Sequence, residues 1–354
     1  MKGVTHYFFA AALASLIPTL MIMAVYEKSF IIVLAAIAGI LPDYIDFKIV
    51  RFLWRVDEEI IPEWPIPNAS RIAEKIAKLI DEAWEKKKVI NVQIHTIKTG
   101  PSTWRKWFIY IDPDRQRIKV GIGPIQTFGG RTFDATIEEV PPDKRVGEAK
   151  FSAPLRYGYK DRTIEVSILT GPMVAFAPTD DHVEVVFLPW HRYASHSIIL
   201  AGGLSSIVFL VALLFGISPL KALMYSIAFF VGYTSHILSD QFGHMGSNLF
   251  WPFTKKRIEG LKITESADPY ANFLLFWLST MILLWQMNSA ISPKPITFPW
   301  TYTILGVEIS IAYLLFLVAI PSIIIIIARV LFWKPRGDPY LRNLLREEYG
   351  ELFG

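Results

Sequence analysis

The sequence predicts an α-helical membrane protein of about six transmembrane or re-entrant helices, carrying an inserted soluble α+β domain. Two observations predict it. The chain has 354 residues, 52% of them hydrophobic, and mean hydropathy is +0.36, with the apolar excess gathered in blocks. Between about residues 48 and 190 the composition is ordinarily charged instead, and the apolar residues alternate.

The apolar blocks are about 7–26, 29–42, 197–217, 219–238, 271–290 and 303–333. Most reach the roughly 20 residues that a helix needs to cross about 30 Å of hydrocarbon. Lys2 and the first block resemble a signal peptide, but no small-residue cleavage site follows and His6 lies inside it, so a retained helix is expected. The second block ends at Pro42-Asp43, and either continues through FKIVRFLW or re-enters. The sixth is overlong and holds Pro321, which predicts a kink or a tilted exit.

Within the central stretch, residues 69–87 place Ile72, Ile76, Leu79, Ile80 and Ala83 at helical spacing with charges opposite. Alternating segments follow, VINVQIHTIK, KWFIYID, RIKVGIG, TFDATIEE, RTIEVSIL and HVEVVFLP, separated by Pro, Gly and Asp turns. They read as mostly antiparallel strands. The expected organisation is a helix pair over 1–47, the α+β domain over 48–190, further membrane helices over 191–333 and a charged tail over 334–354.

Charge and cysteine content narrow the function classes. Net charge is +4, from 36 basic and 32 acidic residues, too balanced to argue for nucleic acid and suited to anionic headgroups. With no cysteine there is no thiolate ligand, disulfide or Cys nucleophile. Lys255, Lys256, Arg257 and Lys262 follow the fourth block, and Arg329, Lys334, Arg336, Arg342 and Arg346 lie at or beyond the end of the sixth. The opposite connections carry only Lys28, Lys221 and Lys294. With six spans the positive-inside rule puts the termini, the inserted domain and the 240–270 loop in the cytoplasm.

That orientation gathers the ionisable residues at the block edges on one face of a cell (inner) membrane: His6, Asp43, Asp46, His191, His196, His236, Asp240 and His244. Histidine and carboxylate are the usual ligands of a catalytic divalent metal, and ionisable groups at membrane depth are costly. His236 and Asp240 are four apart, one turn on one helix face. His191 and His196 are five apart, so His191 is expected in the approach to a helix and His196 in its first turn. Arg192 has the fork to bind a phosphate, and Ser197 is placed to cap the helix or to hydrogen-bond a ligand. Asp43 and Asp46, three apart, divide between metal binding and a base or bridging role. Alone, each such residue is more simply an interhelical hydrogen-bonding group. His95 and His182 fit strand and turn positions, and GIGPIQTFGG fits a β-turn, since no helix follows to cradle phosphate.

Together THYFF, GILPDYID, HRYASHS, GYTSHILSDQF and LFWPF resemble the membrane-bound metal-dependent hydrolase family related to the LexA-regulated bacterial inner-membrane protein. The resemblance covers the membrane parts to about residue 253. It implies hydrolysis at the membrane and a ligand set drawn from His6, Asp43, Asp46, His191, His196, His236 and Asp240. Two departures stand out: the acids here are PD-x-x-D rather than PD-x-D, and about 145 residues separate LPD from HR where the family has a short loop.

The expected function is hydrolysis of a phosphoester or lipid at the membrane face, by water activated on zinc, with manganese or iron as alternatives. Asp43, Asp46 and Arg192 are the catalytic candidates. The substrate is expected to be a membrane lipid or a membrane-proximal small molecule, and the central domain to lid the site, select substrate or bind a protein partner. Two other classes compete. A metal-ion or proton transporter would spread polar residues through the bilayer, whereas Glu308 is the main ionisable exception in the blocks. A non-enzymatic anchor for the central domain would leave the His and Asp residues unexplained.

Overall fold

The computed structural model describes residues 2–127, 132–133, 139–158, 162–166, 171–254, 257–265, 268–304 and 307–333. The tail expected over 334–354 and its arginines, with Lys255 and Lys256, lie outside the described residues. The chain divides into two compact units, one of residues 1–52 with 191–354 and one of Leu53–Trp190.

In the first unit α1 (Gly3–Ser15), α2 (Pro18–Tyr26), α3 (Ile31–Ala38) and α4 (Leu41–Ile45) lead into a π-helical turn, Asp46–Val50, and the short α5 (Arg51–Leu53). α1 and α2 are bent by 99° at the break before Pro18. Proline lacks the N–H that would continue the helix and pushes the preceding residue to extended backbone, as at Ile17 (ψ 110°). α3 has only 8 residues, about 12 Å at 1.5 Å per residue. It packs tightly enough on a later helix that a Cβ at Gly232 would sit 2.1 Å from the Ala35 carbonyl. Gly39, after α3, serves a similar close approach, since a Cβ there would meet that of Ala10 at 2.4 Å.

The second unit runs β1 (Glu58–Ile60), α6 (Ala69–Lys86), β2 (Ile90–Ile94), β3 (Ile97–Gly100), β4 (Thr103–Asp112), β5 (Arg117–Thr127), β6 (Thr132–Phe133), α7 (Pro142–Arg145), β7 (Val146–Lys150), β8 (Leu155–Arg156), β9 (Thr163–Val166), β10 (Met173–Pro178) and β11 (Val183–Phe187). One sheet has the order β1-β2-β10-β11-β8; the other runs β3-β4-β5-β6, with β7 on β5 and β9 on β4. Asn68 caps α6, its side-chain oxygen accepting from the Ser70 and Arg71 amides at 3.0 and 3.3 Å. The apolar stripe of α6 joins Val92, Trp107, Ile109, Ile118, Val120 and Val174 in one core. The lone histidines here are paired locally, His95 with Glu59 and His182 with Asp181.

The first unit resumes with α8 (Ile198–Leu214), α9 (Pro219–Asp240), α10 (Pro269–Ala290), the hairpin β12 (Thr301–Ile304) and β13 (Val307–Ser310), a π-helical stretch Tyr313–Ala319, and α11 (Ile320–Phe332). The π-helical stretch directly precedes Pro321, which cannot supply a regular helical hydrogen bond.

The six-helix expectation is overturned. About 49% of the chain is helical and 21% is strand, so it is not an α-helical membrane bundle with a minor insertion. Among the described residues three helices are long and apolar enough to cross a membrane: Pro219–Asp240, Pro269–Ala290 and Tyr313–Phe332. The bent α1–α2 pair would make four. The remaining departures from the expected blocks have physical reasons. Residues 29–42 break at Gly39 and leave a helix too short to span, α8 stops at 17 residues, and the start of 303–333 pairs as a hairpin instead of continuing a helix. Even-numbered parity, on which the cytoplasmic assignment of every motif rested, now depends on whether the bent α1–α2 pair counts as one span.

Candidate metal centre

Three local folds bring the ionisable groups of the first unit together. The last turn of α9 presents His236 and Asp240 on one face. The loop leading into α8 presents His191, Arg192 and His196. α4 presents Asp43, and the π-helical turn after it turns Asp46 fully inward. The α8 approach is held by Ser197, which caps α8 through the Ile199 and Leu200 amides and donates to the Trp251 carbonyl at 2.7 Å. Asn248 N–H donates to the Arg192 carbonyl at 3.1 Å. The loop carrying the W-P pair is thus a brace for the HRYASHS segment.

Four atoms converge: Asp43 Oδ1, His196 Nε2, His236 Nε2 and Asp240 Oδ2. His196 Nε2 lies 3.2 Å from His236 Nε2, 3.7 Å from Asp43 Oδ1 and 3.3 Å from Asp240 Oδ2. His236 Nε2 lies 3.5 Å from Asp43 Oδ1 and 3.4 Å from Asp240 Oδ2. Metal–ligand bonds of 2.0–2.1 Å in a tetrahedron separate the ligands by about 3.3 Å. Asp43 Oδ1 is buried with no hydrogen-bond partner, although the rest of its side chain makes it the most open of the four residues, at 28% exposure.

The far sides of the rings decide which nitrogens carry protons. His236 Nδ1 is 2.7 Å from the Gly39 carbonyl, which only accepts, so Nδ1 holds a hydrogen, and in the neutral ring the lone pair is on Nε2. Ser195 donates to Asp46 Oδ1 at 2.5 Å, so its oxygen accepts from His196 Nδ1 at 2.9 Å and again leaves Nε2 as the lone pair. With both rings neutral, two imidazole lone pairs face each other at 3.2 Å beside two carboxylate oxygens. A shared cation would relieve that arrangement. The donor set, two nitrogens and two oxygens without sulfur, suits zinc, manganese or iron.

Asp46 stands behind this group. Its Oδ2 accepts from the Arg192 amide at 2.8 Å and from His191 Nδ1 at 2.9 Å. Burial opposes its charge, but the neighbouring His191 and His196 outweigh burial and hold it well below the usual carboxylate range. Burial also raises Asp43, and it is the hydrogen bond and charge of His236 in its protonated form, followed by the charge of His196, that hold it low. For His191 burial dominates and lowers the pKa, against the pull of Asp46, so the ring is neutral near pH 7. Asp46, His191 and His196 form a second close group, but its atoms are engaged in these hydrogen bonds.

The remaining sequence candidates take outer positions. His191 Nε2 is 4.0 Å from Asp43 Oδ1, on the open side. Arg192, buried and at φ 59°, reaches Asp240 twice, with Nη2 at 3.0 Å from Oδ2 and Nη1 donating to the carbonyl at 3.2 Å. His6 stacks on His236 with ring centroids 3.8 Å apart; its Nδ1 meets Ser239 Oγ at 2.9 Å and its Nε2 lies 3.5 Å from Asp240 Oδ1. Asp43, Asp46 and Asp240 against Arg192 leave three negative charges to one positive, a formal −2 that one divalent ion neutralises. His244 is in neither close group.

Sequence reasoning missed Ser195, Ser239 and the Gly39 carbonyl, the partners of three Nδ1 atoms. Only Ser195 carried a signal, its place between the two histidines of HRYASHS; a backbone carbonyl carries none.

Fold and site define a membrane protein with a buried His/Asp group able to hold a metal ion. Residues 156–330, just under half of the chain, match the family described as YdjM inner membrane protein. No curated protein and no solved structure matches the chain.

Proposed function

We propose that this protein is a metal-dependent hydrolase of the inner membrane, with a single divalent centre held by Asp43, His196, His236 and Asp240. The observation that carries the reading is the convergence of two imidazole nitrogens, each 3.2–3.7 Å from the other and from two carboxylate oxygens. A divalent ion there would supply Lewis-acid polarisation and activation of water near neutral pH. Asp43, on the open side, admits substrate to the centre. His191 Nε2 lies beside it, with Nδ1 tied to the Asp46 carboxylate, placed to hold and hand on a proton at Nε2. Arg192 secures Asp240, and its buried Nε, which has no hydrogen-bond partner, remains to donate to an anionic oxygen of the substrate. These groups favour a phosphoester, borne by a membrane lipid or a membrane-proximal small molecule. The site faces the cytoplasm in this reading, and the unit Leu53–Trp190 selects substrate or binds a protein partner.

The test is elemental analysis of detergent-purified protein beside hydrolysis of a panel of phosphoesters, including a dispersed phospholipid. About one zinc, manganese or iron per chain is expected, with metal and hydrolysis both lost in His236→Ala. Metal-free wild-type protein, or metal content indifferent to His236→Ala, would sink the assignment.

A further inference from the structure

We propose that Ser195 is a positioning residue for the metal centre, fixing the tautomer and aim of His196 by relaying it to the Asp46 carboxylate. The inference rests on the hydrolase reading only for the presence of a metal. The hydroxyl sits between two fixed partners: it donates to Asp46 Oδ1 at 2.5 Å and accepts from His196 Nδ1 at 2.9 Å. All three side chains are essentially removed from solvent, so water does not compete for these bonds. The Ser195 backbone is held independently, its carbonyl accepting from the Tyr233 hydroxyl at 2.6 Å. Asp46 is held independently too, by the Arg192 amide and His191. Removing the hydroxyl alone therefore leaves the backbone, the carboxylate and all four ligand atoms present. What is lost is the polarity that keeps the hydrogen on His196 Nδ1. The direct contact left behind, His196 Nδ1 to Asp46 Oδ2, is longer, at 3.4 Å.

Loss of such an outer hydrogen bond typically weakens metal binding 10–100-fold. The experiment compares full-length wild type, Ser195→Ala and Ser195→Thr in detergent, by zinc titration against a chelator and by the absorption spectrum of the cobalt-substituted protein. Ser195→Ala is expected to bind zinc about 10–100-fold more weakly and to shift the cobalt bands, and Ser195→Thr, which keeps the hydroxyl, to restore both. If Ser195→Ala does not purify, Ser195→Gly, which also lacks the hydroxyl, replaces it with the same expectation. Wild-type affinity and spectrum in the variant lacking the hydroxyl would overturn the proposal while leaving the hydrolase reading intact. Equal loss in the threonine variant would overturn it as well, because bulk and not hydrogen bonding would then be at issue. A wild type that binds no metal sinks both.

Discussion

Replacing Asp46 by asparagine changes one atom yet reverses the hydrogen-bond order of the centre. The carboxylate now receives three donors, the Ser195 hydroxyl on Oδ1 and the Arg192 amide and His191 Nδ1 on Oδ2. An asparagine oxygen can keep the Oδ2 pair, which places its NH2 against Ser195. The hydroxyl must then accept from the amide and donate to His196 Nδ1. That moves the imidazole hydrogen to Nε2, the atom aimed at His236 Nε2 and Asp240. Restoring the metal-binding tautomer means leaving one buried donor without an acceptor, which costs about 1–3 kcal/mol. The expected result is zinc affinity about 5- to 150-fold weaker, with every ligand still in place. A chelator-competition titration of purified wild type and Asp46→Asn reads it directly, and cobalt absorption reports the change at the ligand. Unchanged affinity would refute the assigned hydrogen-bond polarity. Complete loss of folded protein would instead show that Asp46 holds the loop chiefly through Arg192 and His191.

The two other histidine roles separate by stoichiometry: His236→Ala should abolish bound metal, whereas His6→Ala, outside the four converging atoms, should retain about one ion per chain, as elemental analysis would show. Gly232→Leu should lower the thermal midpoint in detergent, because its Cβ would lie 2.1 Å from the Ala35 carbonyl; overpacking of this kind costs about 1–3 kcal/mol, and an unchanged midpoint would mean α3 and α9 separate freely. In the second unit Asp57 is opposed by burial but held low by the Asn91 amide, at 3.0 Å, and by Lys88 and Arg55. Its folded pKa is depressed, so its stabilisation is present above the unfolded value near 3.9 and is lost as pH falls below it. Denaturant unfolding should therefore show Asp57→Asn weaker than wild type at pH 7, with the gap closing toward pH 3.

The blocks 219–238 and 271–290 were legible as helices because periodicity and hydropathy agree there with length, and α9 and α10 follow them closely. The stripe of α6 was legible for the same reason: Ile72, Ile76, Leu79 and Ile80 all enter the core. Hydropathy failed where backbone geometry decides. Residues 7–26 and 29–42 are as apolar as any span, yet the first breaks by 99° before Pro18 and the second stops at Gly39. Apolar composition says only that a segment is removed from water. It does not distinguish lipid from a protein interior, and α1, whose Ala10, Ala11, Ala12 and Ala14 are all buried, faces other helices.

At the candidate metal centre the sequence showed residue types and only half of the roles. Helical spacing joined His236 to Asp240, but the division of labour between Asp43 and Asp46 is invisible to it. Three residues apart would put both on one helix face; the π-helical turn beginning at Asp46 alters that register. Asp43 then meets the Nε2 atoms while Asp46 meets the Nδ1 side of His191 and His196. All four clustered histidines follow one rule, Nδ1 held by an outer group and Nε2 turned inward: Ser239 for His6, Asp46 for His191, Ser195 for His196 and the Gly39 carbonyl for His236. A set of unrelated interhelical hydrogen bonds would use either nitrogen. For His196 and His236 this orientation would leave the same ring nitrogen to a shared ion, while His6 and His191 flank that group with their Nε2 atoms toward Asp240 and Asp43.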